Sequence, residues 1–185
     1  LTGCGSSASG TASGTASSAA ASSAAASAAG QTFKVGIVNY VDHASLNQIV
    51  ESVESRLDEV AKEKGVIFDY ADYYANAQAD QTNLNQIGAD LVADGVDVIV
   101  AVATPTAATM LAAVEDTDIP VVYSAVTDPA AAGFDTEPNI TGTSDALNTD
   151  AIMNLILAVN PDIDTIGLLY DLSQDASTQA IADAT

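Results

Sequence analysis

V-D-V-I-V-A-V-A-T-P-T-A-A, residues 96–108, is the stretch whose reading decides the fold: a short Val- and Ile-rich run that stops at Thr104 and passes straight into a helical pattern. Turn signals at Gly95 and Thr104 bound the run, so it reads as a strand covered on both faces, the middle strand of a parallel sheet. Thr104 stands where an N-cap belongs, and Pro105 fits the first helical position, where a missing N–H costs nothing. The consequence is a free helix N-terminus at the C-terminal end of a strand. Backbone N–H groups and the helix dipole there favour a carboxylate or another anion, and open parallel sheets bind ligands along that edge.

Upstream of this stretch, Phe33, Val35, Ile37 and Val38 with Gly36 among them read as a first buried strand, which runs out into the polar loop Asn39-Tyr40-Val41-Asp42-His43. Leu46, Ile49, Val50, Val53, Leu57, Val60 and Ala61 recur at spacings of three and four, one face of a long helix. Lys62 and Lys64 in its last turn and Gly65 as the C′ residue mark its end. Residues 66–70 read as a second strand, and a helix from Asp80 turns Leu84, Ile87, Leu91 and Val92 inward before Gly95.

Downstream, the helix from Thr104 buries Ala107, Leu111 and Val114. Residues 119–123 form a strand with Pro120 at its start, where the missing N–H is tolerated, and it exits into Ser124-Ala125-Val126-Thr127-Asp128-Pro129. A short strand around Ile140 leads into Gly142-Thr143-Ser144-Asp145. Strands and helices alternating at this spacing predict a doubly wound α/β lobe over residues 32–142, with right-handed crossovers placing every strand C-terminus on one edge. The pattern then restarts: Ile152, Leu155, Ile156 and Val159 lie on a helix stopped by Pro161, and residues 165–170 are another β run. One strand and one or two helices bury no core alone, so residues 143–185 read as the crossover and the start of a second, similar and incomplete lobe.

Charge narrows the function. Across 185 residues, 25 acidic side chains face four basic ones, a formal net charge of -21. Such a surface repels phosphate backbones and anionic headgroups, which argues against nucleic acid and leaves membrane contact to some other device. No apolar run approaches the roughly 20 residues of a spanning helix. Cys4 is the single cysteine, so no intramolecular disulfide or multi-cysteine metal cluster forms. Leu1-Thr2-Gly3-Cys4 resembles the tail of a bacterial lipoprotein signal, in which small residues precede the cysteine that is lipidated after cleavage. Residues 5–31 are almost wholly Gly, Ser, Ala and Thr, too poor in apolar side chains to fold. They read as a tether spanning about 30 Å as a random coil, on a chain that meets the cell membrane only through its lipid.

Candidate site residues follow from the predicted edge. The loops at 39–43, 104–106 and 124–128 converge there, Ser144 and Asp145 sit at the crossover, and residues 170–177 face them from the second lobe. Hydroxyls and helix N–H groups suit a ligand carboxylate, Asp128 or Asp145 its ammonium, and Tyr40 or Tyr170 an apolar or cationic body. Simpler readings stand beside these. Thr104 and Thr106 also read as caps, and Asp128 before Pro129 as a turn residue. His43 with Ser124 and Asp128 offers the residue types of a triad, but no G-x-S-x-G elbow exposes a nucleophile, and His43 reads better as a cap of the long helix or a local hydrogen-bonding group. Asp94 with Asp97 and Asp162 with Asp164 lack the Gly and Glu of a calcium loop. No phosphate-binding glycine motif appears, so no metal or cofactor is implied.

Four segments together resemble the ABC transporter substrate-binding lipoproteins of the tryptophan/tyrosine type: residues 35–43, A-T-P-T-A-A at 103–108, S-A-V-T-D-P at 124–129, and N-I-T-G-T-S-D at 139–145. The resemblance implies the type I periplasmic-binding-protein fold of two α/β lobes. It implies an extracytoplasmic receptor, tethered through Cys4, that closes on an aromatic or other small amino acid and hands it to an ABC permease. It also implies that Asn39, Thr104, Thr106, Thr127, Asp128, Ser144 and Asp145 line the pocket, joining Tyr40, Ser124, Tyr170 and Ser173 from the loop reading. In the family the loop after the second lobe's first strand often runs Y-N-S-S-E-A-N-S; here it is Y-D-L-S-Q-D-A-S at 170–177, which leaves the ligand's identity open. An enzyme on a flavodoxin-like or racemase-like sheet would need a paired acid and base at the edge, and a surface interaction module would show an exposed apolar patch in place of a polar cleft.

Overall fold

The computed structural model of the chain describes residues 30–168 and 181–182. Cys4, the tether as far as residue 29, Tyr170 and Ser173 lie outside the described residues. Six strands form one parallel sheet. They are β1 (Thr32–Asn39), β2 (Ile67–Asp69), β3 (Tyr74–Asn76), β4 (Val98–Val102), β5 (Val121–Val126) and β6 (Ile140–Ser144). The helices are α1 (Ala44–Lys64), α2 (Gln81–Asp94), α3 (Thr104–Ala113) and α4 (Thr149–Val159).

The spatial order is β2-β1-β4-β5-β6, with β3 also beside β1. Strand β2 pairs with the first residues of β1 and β3 with the last, Ile37 to Tyr74 and Asn39 to Asn76. They are one edge strand interrupted by the 3-10 turn Ala71–Tyr73. The sequence shows only the first half. Residues 74–76 carry no alternation of their own and become a strand because β1 offers an open ladder beside them.

The two faces have separate cores. On one, α1 sets Leu46, Ile49, Val50, Val53 and Leu57 against Val35, Ile37, Val100 and Val102. On the other, α2 and α3 bring Leu84, Leu91, Ala107, Met110 and Val114 against Val38, Ile99, Ala101 and Val121. Each fully buried aliphatic side chain of this size contributes about 1.5–3 kcal/mol, and the alternation along β1 and β4 divides that gain between two layers. Gly88 on α2 lets α3 come close: a Cβ there would lie 2.8 Å from the Ala113 Cβ.

Helix ends follow the sequence with one exception. His43 caps α1, its Nδ1 accepting the Ser45 N–H at 3.3 Å, and Gly65 closes the helix in the left-handed region at φ 69. Asp80 caps α2 through the Asn83 N–H at 2.9 Å, and Gly95 ends it at φ 64. Thr104, however, is the first residue of α3 and not its N-cap. Ala103 holds the cap position at φ 80, ψ 153, and no side chain caps the helix. Strand β4 turns into α3 too sharply for an extended residue to make the corner.

Strand β5 differs from expectation at both ends. It starts at Val121, after Pro120, and runs on to Val126, so Ser124 and Ala125 belong to the strand and not to the exit loop. What holds them there is β6, which pairs Ser124 with Thr143 and, across an irregularity at Ala125, Val126 with Ser144. Strand β6 likewise includes Gly142 and Thr143. Over the described part of the β run expected at 165–170, residues 165–168 form no strand, and Ile166 and Leu168 are exposed; a strand needs a ladder to join. Helix α4 buries none of its residues, and its Leu155 and Val159 are 65% and 79% exposed. Among the described residues no helix is long and apolar enough to cross a membrane.

Candidate ligand-binding site

The chain leaves β1 for the β2 side of the sheet and leaves β3, through α2, for the other side of β1. The order therefore reverses between β1 and β4, the topological switch point at which open α/β sheets leave a crevice. A cavity of about 820 Å³ lies at this point, beyond the C-terminal ends of the strands. Its walls include Tyr40 and His43 after β1, Gln81 and Asn85 on α2, Ala103, Thr104 and Thr109 at α3, and Ala125, Thr127 and Asp145 from β5 and β6. First turns of α1, α2 and α3 all border it. Their dipoles place partial positive charge in a chain whose formal net charge is -21.

Of the sequence-predicted residues, Tyr40, Thr104, Thr127 and Asp145 come together on this cavity. Thr127 donates its hydroxyl to Asp145 Oδ1 at 3.1 Å. Asp145 donates its own N–H to the Val126 carbonyl at 3.2 Å. Ser144 supports the pair from behind, donating to the Thr127 carbonyl and accepting the Ala146 N–H, each at 3.1 Å. Oδ1 of Asp145 is thus committed and the carboxylate fixed in place, with Oδ2 making no hydrogen bond to the described residues.

Others are turned elsewhere. Asn39 ends β1 fully buried, facing α1, where its Nδ2 donates to Asn47 Oδ1 at 3.0 Å. Thr106 is fully buried beneath the first turn of α3. Asn39 Oδ1 and Thr106 Oγ1 find no hydrogen-bond partner among the described residues. Ser124 sits within β5 and is not on the wall. Asp128 accepts the Ala131 N–H at 2.9 Å and serves its own turn, the simpler of the two sequence readings. His43 is committed as a cap and forms no triad with Ser124 or Asp128 among the hydrogen bonds of the described residues.

Sequence reasoning missed Ala103, Gln81, Asn85 and Thr109. Ala103 and Ala125, at φ 80 and φ 55, hold backbone conformations that L residues rarely adopt, and both border the cavity; such strain clusters at binding sites. Gln81, Asn85 and Thr109 lie on helices, and only the spacing of α2 against α3 brings them to the rim. A second hollow of about 670 Å³ beside α1 is walled by Asp42, Glu51 and Glu54, which would repel a carboxylate. No group of three acidic, His or Cys side chains among the described residues is placed to hold a metal. The displaced titrations lie away from the cavity: Tyr70 is raised by its hydrogen bond to Asp58, and by burial, and Arg56 is raised by Glu59 and Glu63.

Residues 34–183 match the family of ABC transporter substrate binding proteins. The chain belongs to this family. A tyrosine-binding protein of Clostridioides difficile is 31% identical over 147 residues, 76% of this chain and 41% of that protein. A Streptococcus pneumoniae ABC domain solved in complex with L-Trp superposes with a TM-score of 0.71 at 32% identity, covering 83% of this chain and 52% of that one. A branched-chain amino acid transporter substrate-binding protein of Streptococcus pneumoniae solved with isoleucine shares the fold, with a TM-score of 0.64 at 16% identity, covering 83% of this chain and 45% of that one. The chain thus has the α/β lobe of a type I periplasmic binding protein and spans about half the length of these relatives.

Proposed function

We propose that the protein is the extracytoplasmic binding component of an ABC importer and takes a small amino acid, aromatic by preference, in the cavity between β1, α3 and β6. The observation that carries this reading is the juxtaposition on one cavity of an uncapped helix N-terminus at Thr104 with the fixed carboxylate of Asp145. The first suits a ligand carboxylate and the second its ammonium. Tyr40 supplies an aromatic wall, and two relatives, a tyrosine-binding protein and a domain holding L-Trp, share about a third of their matched residues with this chain. Residues 143–185 open a second lobe that closes over the first, a reading supported by the apolar residues that α4 leaves exposed. Cys4 carries a lipid, residues 5–31 are the tether, and an ABC permease in the membrane is the partner.

Isothermal titration of the full-length protein against the common amino acids, sugars and nucleosides tests the reading. Binding of an aromatic amino acid, lost in Asp145→Asn by at least about tenfold as befits a charge-assisted bond, is the expected result. Saturable binding of a sugar or nucleoside with no response to any amino acid would overturn it.

A further inference from the structure

One wall of the cavity carries a hydrogen-bonding array that neither the carboxylate nor the ammonium of an amino acid requires. Gln81 Nε2 donates to Thr109 Oγ1 at 2.9 Å and to Asn85 Oδ1 at 3.2 Å, joining α2 to α3. Thr109 Oγ1 in turn donates to the Pro105 carbonyl at 2.9 Å. That last bond sets the polarity of the array. A hydroxyl has one proton, and Thr109 gives it to the carbonyl one turn back in its own helix, so the Gln81 atom that Thr109 meets must be a donor. The Gln81 amide is thereby oriented with its nitrogen inward and its Oε1 left over as an acceptor. Asn85, meeting the Gln81 nitrogen with Oδ1, is left with Nδ2 as a donor. Neither leftover group has a hydrogen-bond partner among the described residues.

We propose that Gln81 and Asn85 determine specificity by reading a hydroxyl at the distal end of the ligand's side chain, so that the site prefers a phenol to an unsubstituted phenyl ring. The inference rests on the amino-acid reading above. Among the side chains of tyrosine, tryptophan and phenylalanine only the phenolic O–H complements both leftovers, donating to Gln81 Oε1 and accepting from Asn85 Nδ2. An indole N–H satisfies only the first, and a phenyl ring neither. A wall that loses its bonds to water without regaining them rejects the bare ring, which gives a polar site its discrimination.

Calorimetric titration of the full-length protein with L-tyrosine, L-tryptophan and L-phenylalanine, beside the variants Gln81→Leu and Gln81→Glu, decides the matter. The expected order is tyrosine, then tryptophan, then phenylalanine, with tyrosine over phenylalanine by roughly tenfold or more. Gln81→Leu should erase that ratio by weakening tyrosine while phenylalanine holds or improves. Gln81→Glu removes the Nε2 donor that Thr109 and Asn85 meet, so it should lower that ratio as well. A wild-type protein that binds tyrosine and phenylalanine alike, or a Gln81→Leu variant that weakens both equally, would overturn the proposal and leave the amino-acid reading standing. No binding of any amino acid would overturn that reading and this proposal with it.

Discussion

Thr106 and Asn39 are the two described side chains that are fully buried and keep an oxygen without a hydrogen-bond partner. A buried hydroxyl that makes no bond has lost its water without compensation, a cost of about 1–3 kcal/mol. Thr106→Val keeps the shape and removes the hydroxyl. It should stabilise the ligand-free protein by about 1 kcal/mol in urea titration, whereas destabilisation of that size would show that the hydroxyl has a partner within the fold. Ala103 is strained differently. At φ 80 and ψ 153 it holds a conformation natural to glycine, at a cost of order 1–3 kcal/mol. Ala103→Gly relieves that strain and gives back some unfolded-state entropy. The expected net is a gain of about 1 kcal/mol, seen as a higher urea midpoint with an unchanged slope; a lower midpoint would mean that the Cβ contacts outweigh the backbone. The sequence showed Thr104, Pro105 and Thr106 as a helix start but could not separate cap from first turn, because that difference of one residue depends on the angle at which β4 meets α3.

Among the elements, β5 and β6 carry the half of the site that holds Thr127 and Asp145. Their closeness hangs on Gly142, where a Cβ would fall on the Tyr123 carbonyl oxygen and lie 2.6 Å from its ring. Backbone cannot yield as a flexible side chain can. Gly142→Ala should therefore cost more than about 3 kcal/mol, above the usual range for overpacking, or prevent folding. Gly88→Ala meets the Ala113 Cβ at 2.8 Å and the flexible end of Met110 at 3.3 Å, and the helical propensity it gains, about 1 kcal/mol, offsets part of the strain. Thermal unfolding of the two variants should rank Gly142→Ala well below Gly88→Ala; the reverse order would show that β6 is free to slide. The ends of α1 and α2 were legible to within a residue at Gly65, Asp80 and Gly95, and at His43 as one of two readings, since caps are local chemistry. Strand β3 and the last residues of β5 were not, because their pairing depends on what lies beside them.

At the scale of the whole molecule, a formal charge of -21 sets the fold against its own repulsion. Raising sodium chloride from 0.1 to 1 M shortens the screening length from about 10 to about 3 Å. The thermal midpoint should climb by several degrees over that range; a flat or falling midpoint would show the acidic surface to be spaced widely enough to be indifferent. The amino-acid order by itself determined that the chain makes a parallel α/β lobe, because periods of two and of 3.6 residues and their punctuation are written locally. It also pointed to the edge where β4 gives way to α3, where the candidate cavity lies. Only the tertiary structure decided which side chains stand on the cavity. Thr127 and Asp145 face it while Asn39 and Thr106 turn inward, and Gln81 and Asn85 arrive from a helix that the edge argument never included. Facing is fixed by the angles between packed elements, and those angles are set by contacts between residues far apart in the chain.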